Sequence, residues 1–345
     1  MSILKSLPLD EIRRRGTIRD SDVSLLRSVW ADAEALTAED ADELFGLHGA
    51  CPVKAPSWSP FFIEALTEYV VHQATPVGYV VAENARWLTA KIGAFGRVET
   101  STELALLVHV IETARWAPPS LAAFALAQVR EAIASGTGPL RAGHSPKAGT
   151  IAPEEVELVA RIIGTHSADI GIPITRGEAD ALIAINRAIT PGGSSPAWST
   201  LFIRCIGSAV LAALGHAVPA RHRLLDEGDP TSAETFILLG RRGSHETDRP
   251  RSECRYAPDR QPRVWSTARL LRPEERALAR LERQRLEIVT NEVIEDVSDV
   301  WLMSRLGERA SLDDNEIALI TFVAREASRV PRALADFASR AVIAA

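Results

Sequence analysis

The most constraining feature of this 345-residue chain is a sequence pattern that occurs twice. The stretch LTAEDADELFGL, residues 36–47, aligns without a gap with ITRGEADALIAI, residues 174–185. Each stretch has an apolar residue, then Thr, two variable residues, an acid, Ala, Asp and an apolar run. Internal similarity of this kind indicates a chain built from copies of one supersecondary unit. The pattern therefore predicts further matched blocks in the same order.

Four further pairs of blocks follow along the chain. They are 58–63 with 198–203, 87–93 with 301–307, 98–107 with 312–320, and Pro118, Leu121 and Phe124 with Pro331, Leu334 and Phe337. Five ordered matches would hardly arise by chance, so we predict a tandem duplication of roughly residues 18–140 and 153–345. A Gly- and Pro-rich stretch at 136–153 is typical of a linker. The predicted domains are residues 1–145 and 146–345.

Apolar residues within the blocks recur with helical spacing. Leu104, Leu107, Val108 and Ile111 follow the i, i+3, i+4, i+7 pattern of an amphipathic helix, and strand-like alternation is rare. We therefore predict an all-α chain of two tandemly duplicated helical bundles of about six helices each. Matched aromatic residues are expected to anchor the two cores: Trp58, Phe62 and Trp87 in the first, Trp198, Phe202 and Trp301 in the second.

The repeated acidic motif is best explained as a way to begin a helix. Thr175 precedes Glu178 by three residues, which is the spacing of a capping box. The same spacing recurs at Thr37 with Asp40, Thr100 with Glu103, and Asp313 with Glu316. The alternative is a calcium loop, which needs several oxygen ligands. The best candidate loop offers one carboxylate, Asp169, before Gly171, so we predict helix caps and no metal site.

Asp42 and Asp180 are matched between the two halves but lie beyond the capping position. We expect each to be a solvated or partly buried acid that accepts a hydrogen bond from the backbone or from the indole of Trp58 or Trp198. A ligand site is the alternative for both residues.

No recognisable motif indicates catalysis. The chain has no nucleophile elbow, P-loop, dinucleotide fingerprint or CxxC, and its eight histidines form no HExxH. His109 and Glu112 have the reverse of the order found in carboxylate-bridged di-iron helices, so we expect a surface pair. These observations predict a non-enzymatic protein that needs no cofactor.

The cysteines, the N-terminal residues and the most apolar stretch of the chain indicate its cellular environment. Three distant cysteines, Cys51, Cys205 and Cys254, indicate no disulfide framework. The N-terminal residues lack the apolar core of a secretory signal. The most apolar stretch, 205–218, is interrupted by two glycines and a histidine, which favours a buried helix over a membrane span. We therefore expect a cytoplasmic protein.

The two halves differ most between the second and third matched blocks. About 20 residues separate these blocks in the first half, whereas the second half has a long insertion there, at about 216–299. Residues 241–265 are polar and basic, and a helix is predicted at 272–289 with a partial apolar stripe of Leu278, Leu281 and Leu286. The arginines of this insertion are the candidate binding residues: Arg241, Arg242, Arg276, Arg280 and Arg283.

Two interpretations of this insertion remain open. It is either an exposed helix with Glu–Arg pairs that packs on the bundle, or a docking segment for a partner. The second interpretation predicts a protein partner, with an anionic membrane surface as the alternative. The net charge of −6 and the few aromatic residues in the insertion argue against nucleic acid. The oligomeric state is left open.

A repeated pattern marks the helix starts: an apolar residue, a capping acid and then a long apolar helix. This pattern resembles the TerB-like helical domains linked to tellurite resistance. The Trp-Ser-x-Phe/Leu-Phe-Ile blocks and the duplicated layout are similar to a group of alphaproteobacterial proteins with two tandem helical repeats. The TerB resemblance implies a cytoplasmic, all-helical stress protein that acts at the inner membrane and that senses a metal or small ligand in some members. Those members carry acidic loops, whereas this chain has Ala94, Phe95 and Arg309 at the corresponding turns.

Overall fold

The structure is a computed structural model that describes most of the chain. Residues outside the description are 1–3, 5–6, 32–34, 95, 142–145, 165–173, 217–272, 309–310, 328–330 and 344–345. The chain forms two compact units. Unit 1 comprises Met1–Gly149, Arg161–Ser167 and Glu282–Ile294, and unit 2 comprises Thr150–Ala160, Ala168–Leu281 and Glu295–Ala345. The predicted domains, residues 1–145 and 146–345, have one boundary, whereas each unit is made of three separate segments. The predicted boundary stays a prediction.

Seven α-helices are described in the first part of the chain. They are α1 (Leu9–Arg15), α2 (Asp20–Ala31), α3 (Ala38–Ala50), α4 (Trp58–Thr67), α5 (Ala82–Ile92), α6 (Ser101–Thr113) and α7 (Pro119–Ser135). A π-helix, Glu68–His72, continues α4, and a short 3₁₀ helix, Pro139–Arg141, follows α7.

Seven further α-helices are described in the rest of the chain. They are α8 (Pro153–Gly164), α9 (Arg176–Ala188), α10 (Pro196–Ala213), α11 (Pro273–Thr290), α12 (Asp299–Gly307), α13 (Asp314–Glu326) and α14 (Arg332–Ile343). Helix α11 begins at Pro273. Proline is favoured at the first helical position, because the backbone N–H that it lacks would have no partner within the helix there.

Extended structure among the described residues consists of four strands of two residues each and an isolated bridge between Tyr79 and Trp116. Strand β1 (Thr17–Ile18) pairs in parallel with β2 (Val53–Lys54), and β3 (Gly93–Ala94) pairs antiparallel with β4 (Arg97–Val98). Both pairs lie in unit 1. The predicted all-α class is therefore confirmed for the part of the chain that the structure describes.

All four predicted capping boxes are present. In the box of α9, the Thr175 hydroxyl accepts from the Glu178 N–H at 3.3 Å, and the Glu178 carboxylate accepts from the Thr175 N–H at 2.7 Å. Helices α3, α6 and α13 begin in the same reciprocal way. The capping acids Glu178 and Glu316 are fully buried. These carboxylates are committed to backbone donors, so the repeated motif is a helix start.

The predicted aromatic anchors lie in the cores, with one exception. Trp58 and Phe62 are fully buried in unit 1, and Trp198 and Phe202 are fully buried in unit 2. Trp301 is also buried. Trp87 is only partly buried and makes edge contacts with two other rings, Phe45 and Tyr69.

Helix α10 is the central helix of unit 2. Among the described helices it is the one long and apolar enough to cross a membrane, and 72% of that span is buried within the protein. Gly207 allows its close packing against α13, because a Cβ at this position would lie 2.6 Å from the Phe322 ring. The prediction of a buried helix at 205–218 is confirmed for residues 205–213, where the helix ends, whereas residues 217–218 lie outside the described structure.

Candidate functional site

The predicted binding arginines are only partly within the described structure. Arg241 and Arg242 lie outside the described residues. Arg276 is in α11, but its side chain is not described. Arg280 is exposed on the same helix, and Arg283 is partly buried. The structure therefore brings Arg280 and Arg283 onto one helix, three residues apart, and leaves a common surface for all five arginines as a prediction.

Helix α11 has one buried face and one outward apolar row. Leu286 and Thr290 are buried, and the Thr290 hydroxyl donates to the Leu286 carbonyl at 2.7 Å. In contrast, Leu278, Leu281 and Ile288 are 61%, 63% and 77% exposed. The prediction that Leu278, Leu281 and Leu286 form one stripe was wrong. Five residues separate Leu281 from Leu286, which turns Leu286 to a different side of the helix.

The charges of α11 are balanced rather than basic. The helix contains four arginines and four glutamates, and the Arg285 guanidinium lies 3.9 Å from the Glu282 carboxylate. The arginine excess of the insertion lies at 241–272, with nine arginines against four acids. That segment is outside the described residues. The exposed surface that α11 offers is therefore apolar with charges of both signs.

A buried polar chain connects three helices of unit 1. The Trp58 indole N–H donates to His48 Nδ1 at 3.0 Å, and His48 Nε2 lies 3.2 Å from the Thr100 hydroxyl. The Thr100 hydroxyl in turn donates to the Glu103 carboxylate at 2.8 Å. Because Nδ1 accepts, the proton of a neutral imidazole resides on Nε2. Burial, assisted by the nearby Lys54 charge, lowers the pKa of His48 to about 4.

Unit 2 has a similar chain with different residues. The Trp198 indole N–H donates to Asn186 Oδ1 at 3.0 Å, and Asn186 Nδ2 donates to the Asp313 carboxylate at 2.7 Å. Asn315 Nδ2 also donates to Asn186 Oδ1, at 2.8 Å. The amide supplies an acceptor and a donor where unit 1 uses the two nitrogens of a neutral imidazole. Burial raises the pKa of Glu316, the capping acid next to Asp313.

The matched acids Asp42 and Asp180 form ion pairs. Lys91 lies 2.8 Å from the Asp42 carboxylate, and Arg305 lies 2.6 Å from the Asp180 carboxylate. The hydrogen bond to Asp180 raises the pKa of the Arg305 guanidinium. Both acids are partly exposed, as expected. The alternative that the Trp indoles donate to them was wrong, because those indoles donate to His48 and Asn186. Lys91 and Arg305 occupy matched positions in the blocks 87–93 and 301–307. This match was the sequence signal that could have identified the two ion pairs.

A large cleft in unit 2 was not predicted from the sequence. It has a volume of about 1030 Å³. Its lining residues lie between 186 and 203, on α9, the following loop and α10, and between 311 and 318, at and just before the start of α13. Its polar lining includes Asn186, Asn315 and Ser194, and its apolar lining includes Ile189 and Ile203. The loop TPGGSSP, residues 190–196, was a sequence signal of an irregular polar segment between two helices.

No cluster of metal-binding side chains is found among the described residues. That part of the chain contains no group of three or more His, Cys, Asp or Glu side chains that could hold a metal ion. His109 is exposed, and Glu112 binds Arg161 at 2.7 Å. The loop residues Phe95, Asp169 and Arg309 lie outside the described residues. Cys51 is a free, buried cysteine, and burial raises the pKa of its thiol.

No protein-family model, no curated protein and no solved structure matches this chain.

Proposed function

We propose that this chain is a non-enzymatic interaction protein that docks onto a protein partner through segment 241–290. The observation that carries the proposal is the outward apolar row of α11, formed by Leu278, Leu281 and Ile288. An isolated exposed leucine is common on protein surfaces, but several on one helix face mark an interaction site. Leu286 lies on a different side of the same helix and is buried, so the apolar row is the outward side of a helix that also has a buried side.

The spacing of the row favours a helical protein partner. Leu278, Leu281, Arg285 and Ile288 alternate steps of three and four residues, which is the spacing of a seam between two paired helices. The balanced charges of α11 give it no general attraction to an anionic membrane. Because segment 241–272 is basic, an anionic membrane surface is the alternative partner. We propose that the protein is cytoplasmic with either partner.

We also propose that two duplicated helical bundles underlie this function. Helices α3 and α9 have 13 residues each, as do α6 and α13, and each pair begins with a capping box. The Trp-centred polar chains and the Asp–Lys and Asp–Arg pairs occupy matched positions in the two units. These paired features support an origin by tandem duplication, with the insertion as an addition to the second copy.

Sensing of a small ligand by a TerB-like protein is a second candidate function. The cleft of unit 2 supports it, because ligand sites are concave, mostly apolar and carry a few convergent polar groups. The metal-sensing form of this candidate has no supporting cluster among the described residues.

The docking proposal is tested by co-purification from the native host. The test protein carries Leu278→Gln, Leu281→Gln and Ile288→Gln, which keep helix propensity and charge while removing the apolar row. The matched control is Val77→Gln, another exposed apolar residue, 62% accessible. We expect recovery of a specific partner to fall at least about tenfold in the triple variant and to be unchanged in the control.

Two other results would contradict the docking proposal. One is equal partner recovery by the triple variant and the wild-type protein at matched folded concentration. The other is sedimentation of the wild-type protein with anionic phospholipid vesicles, unaffected by the triple substitution and abolished by high salt. That result would assign docking to the basic segment and to the membrane instead.

A further inference from the structure

The outward row of α11 is symmetric about its own centre. Leu278, Leu281, Arg285 and Ile288 are separated by steps of three, four and three residues, so the steps have the same order in either chain direction. All four side chains are exposed. A twofold interface brings the same surface of two copies together, and residue i then contacts residue j while j contacts i. The row has the symmetry that such an interface needs.

Antiparallel pairing of two α11 helices matches every position of the row. Leu278 of one copy lies against Ile288 of the second copy, and Arg285 lies against Leu281 of the second copy. Alternating steps of three and four residues allow side chains of paired helices to interlock at these positions. The aliphatic stem of Arg285 covers the leucine, while its charged end extends to the edge of the interface.

The charges beside the row favour the antiparallel direction. Glu282 follows Leu281 at the edge of the row, and its side chain is 34% exposed. In the antiparallel pair, the Arg285 guanidinium lies within reach of Glu282 of the second copy, and the twofold axis produces this ion pair twice. In a parallel pair, Arg285 would face Arg285 of the second copy, and like charges in contact are repulsive. The row is therefore complementary to itself in one direction only.

The surroundings of the row also suit a second copy. Helix α11 has four arginines and four glutamates, so two such helices carry no net charge that would keep them apart. Eight large apolar side chains are exposed among the described residues, and five of them lie between residues 278 and 300: Leu278, Leu281, Ile288, Val293 and Val300. A concentration of exposed apolar side chains marks an interaction surface.

From this symmetry and these charges we infer that the protein forms a homodimer in which α11 pairs antiparallel with α11 of a second copy. The inference rests on the proposed docking role of the row and names the partner as a second copy of this chain. Each copy contributes three apolar side chains from α11. Because this is a small interface, we expect a reversible dimer with a Kd of about 10 μM.

Charge exchange in the purified full-length protein tests this pairing by sedimentation velocity between about 1 and about 100 μM. Arg285→Glu and Glu282→Arg should each raise the Kd at least about tenfold, because each variant places like charges together in both ion pairs. An equimolar mixture of the two variants should restore the Kd to within about threefold of the wild-type value, because both pairs are again Glu–Arg in the mixed dimer.

The matched control is Arg280→Glu. Arg280 is exposed on the same helix but lies off the row, so this variant makes the same change of charge and should leave the Kd unchanged. Circular dichroism verifies that each variant keeps the helix content of the wild-type protein.

The outcomes separate self-docking from docking in general. A wild-type protein that stays monomeric at about 100 μM would overturn the homodimer, while co-purification would still decide whether α11 docks onto a different protein. A dimer that is insensitive to Glu282→Arg, is weakened equally by Arg280→Glu, or is not restored by mixing would overturn the antiparallel pairing of α11.

Discussion

The two buried polar chains, one in each unit, have the same geometry but different chemistry. In unit 1 a Trp indole donates to His48, which contacts the neutral cap residue Thr100. In unit 2 a Trp indole donates to Asn186, which donates to the charged cap residue Asp313. The geometry depends on having one acceptor and one donor at this position, and either side chain provides both. The titratable version in unit 1 makes that unit sensitive to acid.

The largest expected effect comes from removing the Trp at the centre of each chain. Trp58→Ala and Trp198→Ala each delete a fully buried side chain. Each is expected to lower the free energy of unfolding by about 3–5 kcal/mol, with similar values for the two units. Chemical denaturation monitored by circular dichroism checks this. A cost below about 1 kcal/mol in only one unit would break the comparison.

The next largest effect is the pH dependence of unit 1. The pKa of His48 is lowered from 6.5 to about 4 in the folded state, so the folded state binds fewer protons than the unfolded state below pH 6.5. Stability is therefore complete above pH 6.5 and is lost as the pH falls towards 4, by about 3 kcal/mol in total. Denaturation at a series of pH values, with His109→Asn as an exposed-histidine control, measures this loss.

Loss of a capping box is expected to have a smaller effect. Thr175→Ala and Thr100→Ala each remove one hydroxyl that accepts from the N3 backbone N–H. Each should cost about 1 kcal/mol, measured as a shift in the denaturation midpoint. The Thr100 variant should cost more, because Thr100 also contacts His48. Equal costs would show that this contact adds little to stability.

The smallest expected effect concerns the matched ion pairs. Lys91→Gln and Arg305→Gln each remove the cation from a pair whose members are substantially exposed. Each is expected to change the free energy of unfolding by less than about 1 kcal/mol, and the change should shrink further in high salt. A cost of about 3 kcal/mol for either variant would indicate a structural role that the geometry does not support.

Features that depend on near neighbours could be predicted from the sequence. The four capping boxes were predicted because both partners lie within three residues of one another. The helix predicted at 272–289 is found as α11, because a proline in the first turn marks a helix start locally. Trp58 and Trp198 were recognised as core residues because each large aromatic side chain recurs in a matched apolar block.

Features that depend on distant partners could not be predicted. The acceptor of each indole lies on another helix, and the sequence alone suggested the matched acids Asp42 and Asp180 for that role. The direction of Leu286 on α11 depends on which side of the helix packs on the protein. The cleft arises from three segments that meet only in the folded unit.

The most direct test of the comparison is the unfolding free energy of His48→Asn measured between about pH 7 and pH 4, beside the wild-type protein and the exposed control His109→Asn. The amide introduced by His48→Asn can accept from Trp58 and donate to Thr100, as Asn186 accepts from Trp198 and donates to Asp313. We predict that His48→Asn removes about 3 kcal/mol of acid sensitivity and changes stability little at about pH 7. An unchanged acid sensitivity in His48→Asn, or an equal reduction in the control, would contradict the account of two chains with one geometry and different chemistry.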